Sequence, residues 1–90
     1  MDRLKMHELI SLLSKIEEMS DSGLFTFDDE PFEAFQGVKN GYLIFIDVNG
    51  DSYEMEANDV ADYNVARNGD TMEITIQMSY GMTHRIEVYC

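Results

Sequence analysis

The apolar positions of "MDRLKMHELISLLSKIEEMSD" are Leu4, Met6, Leu9, Ile10, Leu12, Leu13, Ile16 and Met19, recurring at intervals of three and four. That period predicts one amphipathic helix, whose other face carries Lys5, Glu8, Ser11, Lys15 and Glu18. The following "SDSG" places Gly23 to take the left-handed cap. A small sheet needs cover for its apolar face, so the helix is assigned to the core rather than to a membrane surface.

From Tyr42 onward the period changes to two. Two Asn-Gly pairs flanked by alternating residues signal hairpins. A two-residue turn at Asn49-Gly50 pairs Val48 with Asp51, Ile46 with Tyr53, Ile44 with Met55 and Tyr42 with Ala57. Leu43 and Phe45 then make the first strand apolar on both sides, as in a central strand. Asn68-Gly69 pairs Val65 with Met72 and Tyr63 with Ile74, and Met72, Ile74, Ile76 and Met78 face inward. A three-residue loop with Gly81 left-handed aligns Ile74 with Ile86 and Met72 with Val88.

The segment "LFTFDDEPFEAFQG" is read differently. Leu24, Phe25 and Phe27 suit an edge strand or packed loop. Asp28 or Asp29 then caps a short helix, with Pro31 in its first turn, Glu33 near its positive end, and Phe32 and Phe35 toward the core. The expected fold is α+β: an N-terminal amphipathic helix packed on a mostly antiparallel β-meander of four to five strands, residues 1–90 forming one small domain.

Composition narrows the function. At 44% hydrophobic and 11% aromatic the chain has the make-up of a folded protein. Eighteen acids against six bases give a net charge of −12. Nucleic-acid affinity rests on Lys and Arg neutralising phosphates, so direct binding to nucleic acid is not expected, nor is binding to anionic membranes. The single cysteine, Cys90, rules out an intramolecular disulfide, and neither a signal peptide nor a run of transmembrane length is visible, so the cytoplasm is the expected location.

Catalytic and metal chemistry find little support. Asp47, Asn49 and Asp51 reproduce the opening of a calcium loop, but its sixth and twelfth places hold Ser52 and Asn58 instead of glycine and glutamate. His7 and His84 have no second ligand at a useful spacing; His84 reads as a hydrogen-bonded structural histidine on the inward side of the last strand. Cys90 has no activating neighbour, and no nucleophile elbow, P-loop or dinucleotide fingerprint occurs. Glu17-Glu18 and Asp28-Asp29-Glu30 could pair for acid–base work, but charge runs are usually solvated faces. The chain is expected to be no enzyme and to use no cofactor.

The acid is unevenly placed. Between Asp28 and Asp62 lie ten acids, namely Asp28, Asp29, Glu30, Glu33, Asp47, Asp51, Glu54, Glu56, Asp59 and Asp62, against the single base Lys39. Glu54 and Glu56 project from one side of a strand, about 6.7 Å apart from the rise per residue. Such a pole steers basic partners, and −12 exceeds the two to eight units of charge that solubility alone requires. The candidate contact residues are Asp28, Asp29, Glu30, Glu33, Glu54, Glu56, Asp59 and Asp62, with Tyr53 and Tyr63 as aromatic anchors.

Small size, strong acidity, one helix and a compact antiparallel sheet resemble phage-encoded inhibitors that occupy the nucleic-acid sites of host defence complexes, among them DNA-mimic anti-CRISPR proteins. The stretch "SYEMEANDVAD", with Tyr53, Met55, Glu56, Ala57 and Asp59, is similar to an acidic run that follows a β-strand in an anti-CRISPR protein acting on a type I surveillance complex. The flanking sequence departs from that pattern. The resemblance implies carboxylates standing in for phosphates in an Arg- and Lys-lined groove of a nucleic-acid-binding host complex, in the host cytoplasm and without catalysis.

Two rivals follow from the same sequence. One is an immunity protein against a basic nuclease toxin. The other is a structural or adaptor subunit using apolar surface, through the first helix or an exposed side of Leu43 and Phe45. A metal protein would gain thermal stability from its ion. Neither calcium nor zinc is expected to raise the Tm, which a thermal-shift titration checks.

Overall fold

The computed structural model describes residues 2–19 and 25–89. The expected Gly23 cap, Leu24 and Cys90 lie outside them. Asp2 caps the first helix by accepting from the Lys5 amide at 2.7 Å, and α1 runs Arg3–Leu13. The helical pattern is interrupted rather than continuous. At Ser14 the hydroxyl donates to the Ile10 carbonyl at 2.7 Å, a local bond that competes with helix propagation, and a short α2 resumes at Ile16–Met19. The buried stripe survives the break, because Leu9, Leu13 and Ile16 keep the four-then-three spacing.

Among the described residues seven strands follow, more than the four to five expected: β1 (Phe25–Phe27), β2 (Glu30–Lys39), β3 (Tyr42–Asp47), β4 (Ser52–Glu56), β5 (Val60–Asn68), β6 (Thr71–Met78) and β7 (Thr83–Tyr89). They form one antiparallel sheet in the order β4-β3-β2-β1-β7-β6-β5. The fold is therefore mixed helix and sheet.

The short helix expected after Asp28 is instead β2. Its three-residue phenylalanine spacing, which reads as helical, comes from a bulge. Between Phe32 and Ala34 the register slips by one, so Glu33 is extra and Phe35 returns to the face that Phe32 occupies. A second slip leaves Gln36 extra. Asn40 and Gly41 then turn the chain with φ of 54° and 82°, a third Asn-Gly hairpin hidden by the helical reading.

The β3–β4 hairpin is shifted by one residue from expectation. Leu43 lies opposite Met55, Phe45 opposite Tyr53 and Ile44 opposite Glu54. The cause is the loop. The Asp47 amide donates to the Asp51 carbonyl at 2.9 Å, closing a three-residue loop around Val48, Asn49 and Gly50. The Asp47 carboxylate accepts from the amides of Asn49 and Asp51, each at 2.9 Å, and Gly50 takes φ +89°. A one-residue slip exchanges faces, so Leu43 and Phe45 enter the core and Ile44 and Ile46 turn outward. The β6–β7 loop has the same closure, with the Met78 amide donating to the Met82 carbonyl and Gly81 left-handed, and aligns Ile74 with Ile86 and Met72 with Val88 as expected. In β5–β6 the pairing is two residues from that expected, Val65 facing Ile74, which keeps the same inward set.

The edge strands β4 and β5 are consecutive in the chain, joined by a single 3₁₀ turn, Ala57–Asp59. In a flat sheet seven strands wide the edges would stand about 29 Å apart. Four steps from Glu56 to Val60 reach at most about 14 Å. The sheet must curl, and the link is tied to both halves: the Ala57 amide donates to Gly41 and the Ser79 amide to Asp59. The buried side chains line the concave face, where Leu9, Leu13 and Ile16 meet Phe25, Phe45, Ile74, Ile76, Ile86 and Val88. Phe27 and Phe45, with centroids 4.9 Å apart, sit in an aromatic cluster within it.

The register makes a prediction. Leu43→Ala should cost about 2–5 kcal/mol in urea unfolding, and Ile44→Ala distinctly less; the reverse ranking would restore the two-residue turn.

Candidate functional site

Three connections converge at one end of the sheet: the β1–β2 turn at Asp28-Asp29, the β3–β4 loop at 48–50 and the β6–β7 loop at 79–81. Asp28 and Asp29 adopt φ of 51° and 69°, a left-handed pair forming a two-residue hairpin turn. Asp and Asn tolerate this region better than other side chains, but two in succession need support. The Asp28 amide donates to the Arg85 carbonyl at 2.8 Å, and its carboxylate accepts from the Arg85 amide at 2.8 Å. The same carboxylate lies 2.6 Å from His84 Nδ1. An ionised carboxylate only accepts, so Nδ1 carries the proton. Asp29 accepts from the Arg85 guanidinium at 2.8 Å, a contact that raises the pKa of Arg85 above its ordinary value.

His84 is 6% exposed and packed against Phe27 and Tyr53, at ring centroids of 5.3 and 6.0 Å. Its Nε2 has no hydrogen-bond partner among the described residues. The Asp28 bond therefore carries the polar anchoring of this ring.

Beside this turn lies a concavity of about 320 Å³ lined by Phe27, Phe32 and Tyr53 and by Asp28, Glu30, Asp47, Asp51 and Ser52. Of its three aromatic side chains Tyr53 is exposed and Phe27 and Phe32 are buried, and four carboxylates share the lining. Burial, with smaller contributions from Tyr80 and Asp28, raises the Tyr53 phenol pKa, so the hydroxyl stays neutral at physiological pH. Tyr80 and Met82, 58% and 56% exposed, stand on the neighbouring loop. Such a hollow suits a cationic side chain with an apolar stem, since ring faces and carboxylates both attract guanidinium or ammonium groups.

The residues singled out from the sequence do not share one surface. Asp28, Glu30 and Tyr53 gather here, together with Asp47 and Asp51, which sequence reasoning counted as acids but assigned only to the turn, while Asp29 borders a separate hollow with Thr75, Thr83 and Arg85. Glu33 is exposed at the first β2 bulge. Glu54 and Glu56 point to the outer face of β4, opposite Ile44 and Tyr42, and Glu54 borders a separate hollow with Lys39 and Tyr42. Asp59 belongs to the 3₁₀ link. Asp62 is paired with Lys5, a bond that lowers the Asp62 pKa and raises that of Lys5. Tyr63 donates to Glu8 at 3.2 Å and packs on the core. Leu43 and Phe45 are fully buried, so they offer no adaptor surface.

Comparison with protein-family models, with curated proteins and with solved structures finds no match for the chain. Among the described residues no helix is long and apolar enough to cross a membrane, and no three His, Cys, Asp or Glu side chains are grouped to hold a metal.

Replacing Asp28 by Ala should destabilise the protein by about 1–3 kcal/mol in urea unfolding, because His84 would lose its carboxylate partner. Asp29→Gly relieves a left-handed strain while losing an exposed ion pair, and should change stability by less than about 1 kcal/mol.

Proposed function

We propose that this is a non-enzymatic binding protein of inhibitor type, whose acidic loop end occupies a basic surface on a nucleic-acid-binding protein. The observation that carries this reading is the concavity itself, in which Asp28, Glu30, Asp47 and Asp51 surround Phe27, Phe32 and Tyr53. Carboxylates spread over a solvated face serve solubility. Carboxylates around the exposed Tyr53, itself seated on the buried Phe27, also supply the aromatic anchor that a specific interface needs. Tyr80 and Met82 extend the apolar part of that anchor on the adjoining loop.

The net charge of −12 adds long-range steering toward a cationic partner and repels nucleic acid. In a groove built for phosphates, these carboxylates would meet the same Arg and Lys side chains. That is the behaviour of a DNA mimic or anti-CRISPR protein, and an immunity protein against a basic nuclease would use the same chemistry. Glu54 and Glu56, on the strand that leaves the concavity, would form the flank of the contact rather than its centre.

Low-salt capture from the host, salt-gradient elution and mass spectrometry identify the partner. The captured protein should bind nucleic acid, and duplex DNA or RNA should compete for it. Paired substitution of Glu30 and Asp51 by Lys should weaken binding by tenfold or more, roughly 1.4 kcal/mol, with a shallower salt dependence. Paired reversal of Glu54 and Glu56 should cost less. Unchanged affinity in the first variant would refute the reading.

A further inference from the structure

The two edges of the sheet are defended differently. β4 is short, carries Glu54 and Glu56, and runs into the 3₁₀ link. On β5 the bulge between Val60 and Asp62 and the Lys5–Asp62 ion pair guard the start of the strand. The second half, 64–68, is in regular register with β6, exposed throughout, and contains no acid, proline or bulge. A regular, unguarded edge is a template for another strand. For a chain this acidic, it is also an edge at which a second copy meets little repulsion.

We propose that β5 pairs with β5 of a second copy, antiparallel about a two-fold axis through Val65, merging two seven-stranded sheets into one. The sequence around Val65 complements itself. Tyr63, Val65 and Arg67 share the helix-side face, opposite Ile76, Ile74 and Met72 of β6. With the axis at Val65, each Arg67 faces Tyr63 of the other copy, and Val65 faces its equivalent. Tyr63 donates to Glu8 at 3.2 Å, and Lys5 Nζ, 5.7 Å from the ring centroid, is already paired with Asp62, so a guanidinium reaching that ring meets the Glu8 carboxylate with the Lys5 charge balanced. Two-fold symmetry makes the contact twice. An axis through Asn64 or Ala66 would set Arg67 against Ala61 or Val65 instead. An axis between residues would oppose side chains from different faces, which the pleat forbids.

The general repulsion between two chains of charge −12 opposes this pairing and is screened by salt. Sedimentation of the full chain from micromolar to millimolar concentration should therefore show a dimer that tightens as salt rises. Val65→Lys, at an exposed position, should leave the melting curve of the dilute monomer unchanged and abolish the dimer. Arg67→Glu should weaken it about tenfold, and adding Glu8→Arg to that variant should restore it. A monomer at every salt concentration, or a dimer indifferent to Val65→Lys, would overturn the proposal. Partner capture through the acidic end is read separately, because the Asp28 turn lies at the other end of the strands.

Discussion

The structure depends on a short tether. Ala57–Asp59 joins strands that a flat sheet would hold about 29 Å apart, so the sheet can exist only if it curls. Curling creates a concave face, and the concave face needs filling. The N-terminal helix supplies Leu9, Leu13 and Ile16 for that purpose, each worth about 1.5–3 kcal/mol on full burial. Helix, curl and tether therefore support one another.

The loop end follows from the same architecture. β1, β3 and β6 all end there, so turns distant in sequence become neighbours in space. The Asp28-Asp29 turn holds an unfavourable backbone conformation because His84 and Arg85, 56 and 57 residues away from Asp28, grip it. Asp47 is committed to its own loop through two amides, while Glu30 and Asp51 complete the rim. Acid is thus gathered around Tyr53 and the buried rings beneath it, Phe27 and Phe32.

Much of the fold was legible in the chain. Clean alternation from Thr71 to Ser79 identified the inward set of β6, and Gly81 fixed the pairing with β7. The misread parts share one cause, namely local signals with two solutions. Asn49-Gly50 fits a two-residue or a three-residue loop, and the Asp47 side chain selects the latter, exchanging the faces of Leu43 and Ile44. Phe32 and Phe35 sit three apart on a helix or across a bulge, and pairing with β3 selects the bulge. The site was half legible. Counting acids marked the stretch from Asp28 to Asp62, but which of them share a surface depends on strand parity and turn type. Glu54 and Glu56 thereby separated from Asp51, and Asp62 was lost to Lys5.

The central claim is that the loop end, rather than diffuse negative charge, recognises cations. Titrating the isotopically labelled protein with an arginine-rich peptide at low salt, followed by amide NMR shifts, tests it most directly. The account predicts shifts concentrated at 27–30 and 47–53, with Tyr53 among them and little change at Glu17 and Glu18. Shifts distributed over all the acidic residues in proportion to their exposure would contradict it.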